Sequence, residues 1–120
     1  MSTIKVNTLE EATAGGATFY TSKAWVNFNG TGTVSIRADG NVSSITDNGT
    51  GDYTVNFTSA TADANYSSFS DFSPSSSSTG ENSRYADYAT ARTTSLARVQ
   101  CLNFGDVFAD QPIVTCGIVR

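Results

Sequence analysis

Hydrophobic and polar positions alternate along much of this chain, in short bursts cut by glycine. The clearest run is "KAWVNFNGTGTVSIRADGNVSSITDNGTGDYTVNF", residues 23–57. Successive side chains of a strand point to opposite faces, so a period of two marks a strand with one buried face. In "KAWVNF", Ala24, Val26 and Phe28 share the face expected to point inward, and Trp25 and Asn27 take the other. After the "NGTG" turn, "TVSIRA" directs Val34 and Ile36 inward. "DGN" supplies a second turn, "VSSIT" a weaker strand and "DNGTGD" a third turn, each turn having a glycine able to take positive φ. "YTVNF" then sets Tyr53, Val55 and Phe57 against Thr54 and Asn56. Read in order, these segments form a β-meander.

The pattern loosens after Ser59. "DANYSSFSDF" reads as a strand that buries Tyr66 and either Phe69 or Phe72. "SPSSSSTGENS", from Ser73 to Ser83, has nothing to bury and reads as an exposed loop. "RYADYATA" and "SLARVQCLNF" resume extended character. In the second, Leu96, Leu102 and Phe104 share one parity and Ala97, Val99 and Cys101 the other, which predicts a central or subunit-contacting strand. "PIVTCGIV" is an almost wholly apolar strand. At the other end, Ser2–Ala12 alternates weakly, with Ile4, Val6 and Thr8 on one side until Leu9 and "EEA" break the pattern, a short strand or turn of helix before the glycine hinge "ATAGGAT". The sum is seven or eight short strands. It predicts an all-β chain: an extended anchor segment with a hinge over 1–22, then an antiparallel, jelly-roll-like β-sandwich over 23–120.

Composition sharpens this picture. Apolar residues make up 38% and charged residues 15% of the chain, against averages of about 45–50% and about 25%. The core is therefore thin, as in a subunit that finishes its burial against copies of itself. The net charge is −4 and the seven basic residues are scattered, which argues against nucleic acid as a partner. No apolar run approaches the roughly 20 residues of a membrane span, and "MSTIKVNTLEEA" lacks a basic-then-apolar signal. Synthesis in the cytoplasm is the expectation.

The chemistry is defined by what is missing. Without histidine there is no imidazole base, no histidine-based triad and no common zinc site. No glycine-rich loop leads into a lysine and a helix, so no phosphate cradle is indicated. No catalytic residue, cofactor or metal is assigned, and the chain is read as a non-enzyme. Asp47 and Asp52 flank "NGTG"; turn aspartates commonly cap backbone N–H groups, a reading favoured over calcium binding or hydrolysis. Cys101 and Cys116 would face each other if their flanking runs paired as a hairpin. The favoured reading is two small, buried, reduced side chains. Trp25, Tyr85 and Tyr88 fall outside the inward parity and are candidates for sugar or protein contact.

The run from Lys23 to Tyr66 resembles a module of tail-fibre and related virion structural proteins of tailed bacteriophages. The resemblance rests on "AWVNFNGTGT", "IR", "NVSSITDNGTGDYTVNF" and "DANY", which occur in this order. "STIKVNTLEEA" and the last apolar strand are similar to the family more loosely. The resemblance implies a homotrimer carried on the virion, with Ile4, Val6 and Leu9 as candidate anchor or trimer contacts to other virion proteins. It leaves Trp25, Tyr85 and Tyr88 to meet a host glycan or surface protein. Longer members carry a spacer after the first segment that this chain almost lacks, which implies a compact tail tip, adaptor or capsid-decoration subunit rather than a long shaft. The functions expected are thus attachment within a tail fibre or tip, head decoration, or glycan recognition.

Overall fold

The computed structural model describes residues 2–6, 20–73, 92–103 and 106–120. Seven strands lie among them: β1 Ser22–Asn29, β2 Ser35–Gly40, β3 Val42–Gly49, β4 Asp52–Phe57, β5 Ser67–Ser73, β6 Leu96–Gln100 and β7 Ile113–Val119. They form two antiparallel sheets, ordered β2-β1-β7-β5 and β3-β4-β6. No described residue is helical. The chain is a β-sandwich of four strands on three.

The period-two pattern is what closes it. Ala24, Val26 and Phe28 of β1 and Val114, Cys116 and Ile118 of β7 bury against Tyr53, Val55 and Phe57 of β4 and Ala97 and Val99 of β6. Phe28 and Tyr53 meet edge to face between the sheets, their ring centroids 5.1 Å apart. Such a pair adds about 0.5–1.5 kcal/mol beyond the area it buries. Val34 and Ile36 pack against this core from one side, as their parity predicts. Tyr66, just ahead of β5, is buried against Phe57 at 6.1 Å and donates its hydroxyl proton to Leu96 O at 2.9 Å. Phe72 shares the parity of Tyr66 and packs on the core, so Phe69 is turned outward and is 63% exposed.

Two expectations about the sheets need correction. The meander is two hairpins, β1–β2 and β3–β4, placed in different sheets. The chain changes sheet at Asn41, whose φ is +59°. Its amide Nδ2 donates to Lys23 O at 2.9 Å and to Ser59 O at 3.0 Å, and its Oδ1 accepts the Ser59 N–H at 2.8 Å. What reads locally as a hairpin turn is therefore a corner, held by contacts to both neighbouring segments.

Among the described strands, β6 lies at an edge of its sheet rather than in its centre, a position that leaves the alternative of a subunit contact standing. Its inward face is Ala97 and Val99, while the opposite face carries Arg98 ion-paired to Asp52. That charge makes the second face polar, whatever Leu96 contributes. The condition for a cross-strand pair of cysteines is not met, because β6 and β7 lie in opposite sheets. Cys101 and Cys116 are both buried free thiols, as the favoured reading held.

Segment 2–6 is irregular rather than a strand. Leu9, the glycine hinge, Tyr85, Tyr88 and most of the Ser73–Ser83 loop lie outside the described residues.

Candidate functional site

The outer face of the four-stranded sheet holds a groove of about 430 Å³. Strand register places its parts. Trp25 of β1 lies opposite Gly117 of β7, and Gly117 lies opposite Phe69 of β5. On the other side of Trp25 stands Gly40 of β2. One rung of the sheet thus reads Gly40, Trp25, Gly117, Phe69. The neighbouring rung reads Asn27, Thr115, Asp71. All of these but Gly40 line the groove.

The two glycines do different things. A Cβ on Gly40 would stand 2.8 Å from Trp25 Cδ1, so the bare backbone is what lets the indole settle over β2. A Cβ on Gly117 would meet nothing within 4 Å. The floor of the groove is open at Gly117, walled by an indole that is 46% exposed and by the exposed Phe69 ring. Polar groups border it. Thr115 donates its hydroxyl proton to Asp71 O at 3.3 Å, and Asp71 Oδ1 accepts the Phe72 N–H at 2.8 Å. Asn27 Oδ1 takes a long 3.4 Å bond from Arg37 Nη1, while Arg37 Nη2 donates to Pro112 O at 2.6 Å.

Titratable groups elsewhere are structural. Asp52 accepts from Arg98 Nε at 2.7 Å and from Gln100 Nε2 at 3.2 Å. The Arg98 bond holds its carboxyl below the usual value, against the opposing effect of burial. Asp47 accepts the Gly49 N–H at 2.9 Å and Asp63 that of Asn65 at 2.8 Å, both acting as turn caps. The Tyr53 hydroxyl lies 2.8 Å from Gly30 O and 2.9 Å from Asp110 Oδ1, and burial followed by Asp110 raises its pKa. Burial pushes both thiols up to about 12, with Asp110 adding to the effect at Cys101. Among the described residues no three His, Cys, Asp or Glu side chains cluster as a metal site.

Of the residues singled out in the sequence, Trp25 lies in the groove. Ile4 and Val6 are 88% and 61% exposed. Sequence reasoning missed Gly117, Phe69 and Asp71 as companions of Trp25. The parity of Phe69 relative to Tyr66 was an available signal; the register that brings β5 within two strands of β1 was not. No family model, curated protein or solved structure matches the chain.

Proposed function

We propose that the chain is a non-enzymatic bacteriophage virion structural protein, assembled as a homotrimer in a tail fibre, tail tip or adaptor that helps the particle attach to its host. The observation that carries this reading is the contrast between the sandwich and its leading segment. The inner sheet faces fill their own core, whereas Ile4 and Val6 present alternating apolar side chains to solvent. Together Ile4 and Val6 offer an apolar edge for contact with other protein, and trimerisation would cover that edge in each of three chains. The similarity of residues 23–66 to tail-fibre modules supports the same assignment, and the outward Trp25 supplies a face for the host.

Deleting residues 2–12 is expected to leave the sandwich with an unchanged thermal midpoint while abolishing incorporation into particles and trimer mass in sedimentation. Normal occupancy of particles by the truncated chain would remove the anchor assignment. The short distance between the leading segment and the module also supports a capsid-decoration subunit. Copy number separates the two, since a few trimers per particle place the protein on the tail and hundreds of chains place it on the head.

A further inference from the structure

We infer that the groove walled by Trp25 and Phe69 is a binding site for one neutral pyranose unit of a glycan. This specifies the host contact proposed above, and it rests on that reading only for the source of the sugar.

Gly117 is the starting point. It sits inside β7, a strand hydrogen-bonded on both sides, where a glycine gives up stability and a side chain that could pack. Two intramolecular reasons for such a glycine are absent. Its φ is not positive, and no described atom approaches the place its Cβ would take. Gly40 on the same rung shows the contrast, being filled by the indole. A strand glycine with neither reason among the described residues is a place where a ligand can approach the backbone closely.

The lining chooses what approaches. Strands β1 and β5 are two sheet spacings apart, about 10 Å, with Gly117 of β7 between them, so Trp25 and Phe69 border a stretch of bare sheet long enough for a sugar ring. A pyranose has a face of C–H groups that packs on an aromatic ring and a rim of hydroxyls that both donate and accept. The rung beside the aromatics offers both complements. Asn27 Nδ2 makes no hydrogen bond among the described residues and is a donor, and Asp71 keeps one carboxylate oxygen beyond its bond to Phe72 N–H. Sites of this volume, with apolar walls and a few convergent polar groups, take small ligands. Charge narrows the class further. Asp71 is the one charged side chain among the described lining residues, and Arg37, which reaches Asn27 Oδ1 with Nη1, spends Nη2 on Pro112 O. An anionic sugar would meet the Asp71 carboxylate, and no described cation lines the groove to offset it.

The chain has one tryptophan, so indole emission reports on the groove directly. Wild-type protein is titrated with methyl α-glucopyranoside, N-acetylglucosamine and N-acetylneuraminic acid. A saturable emission shift with at least one neutral sugar, and at least tenfold weaker binding of the acid, is the expected result. Gly117→Val fills the floor and is expected to weaken binding at least tenfold while leaving the thermal midpoint equal or higher, since its new side chain meets open space. Asp71→Asn should narrow the discrimination between the neutral sugars and the acid. The site is overturned if neither neutral sugar binds, if Gly117→Val binds as wild type does, or if Gly117→Val changes the sedimentation mass, which would make the face a contact between copies. Sugar binding by a chain whose 2–12 deletion still enters particles would keep the groove and remove the anchor.

Discussion

Gly51 shows how much a single position can hold. It turns β3 into β4 at φ +64°, and a Cβ there would stand 2.5 Å from Cys101 O and 2.6 Å from Ala109 N. Its N–H donates at 2.7 Å to Asp110 Oδ1, the oxygen that also faces the Tyr53 hydroxyl. Its carbonyl accepts the Cys101 N–H at 2.7 Å. Gly51→Ala adds left-handed strain to a clash with backbone that cannot swing aside. It is expected to cost about 2–4 kcal/mol in urea denaturation, and a loss under about 1 kcal/mol would mean that the 101–110 segment yields easily. The sequence announces a positive-φ glycine at "DNGTGD" and aspartates suited to capping, and Asp47 caps as expected. It gives no sign that Asp110 is the partner of Gly51, nor that Asp52 holds Arg98. Those partners come from segments that only folding brings near.

At the scale of elements, the legible part was the alternation of β1 and β4, because a half-buried strand writes its burial into every second residue. The sheet change at Asn41 was hidden for a definite reason. A hairpin turn and a corner between sheets both need a residue tolerant of positive φ between two alternating runs, and the choice between them is made by distant packing. Asn41 meets both demands, since asparagine tolerates φ +59° and its amide ties Lys23 to Ser59. Replacement separates the two contributions. Asn41→Gly keeps the backbone and loses the amide bonds, at an expected cost of about 1–2 kcal/mol. Asn41→Ala loses both and should cost about 1 kcal/mol more. Equal destabilisation of the two variants in chemical denaturation would show that φ at this corner carries no strain. The outer groove was illegible for a related reason. Trp25 was visible as an outward aromatic, but its companions are set by the order of strands across the sheet.

For the whole molecule, the thin composition is met by a core whose few polar hydrogens stay in place. Cys101 and Cys116 hold their protons up to about pH 12, against an ordinary value of 9.0, and Tyr53 is raised above its ordinary 10.0. Above about pH 9 the unfolded chain therefore binds fewer protons than the folded one, and stability falls as pH rises. The thiol contribution is fully present below about pH 9 and gone by about pH 12. Thermal midpoints are expected to hold steady near neutrality and drop steadily above pH 9, with a shallower drop in Cys116→Ala. A midpoint unchanged to pH 11 would contradict the protonated core. The position of β7 has a consequence for how the chain is made. It is the last strand in chain order, yet it lies between β1 and β5. Until residues 113–119 leave the ribosome, two partly formed edges with open backbone groups wait for the same piece, the state most open to wrong pairing with a neighbouring nascent chain. The four-stranded sheet closes only once β7 is available, and wrong pairing between neighbouring nascent chains is the hazard that this strand removes.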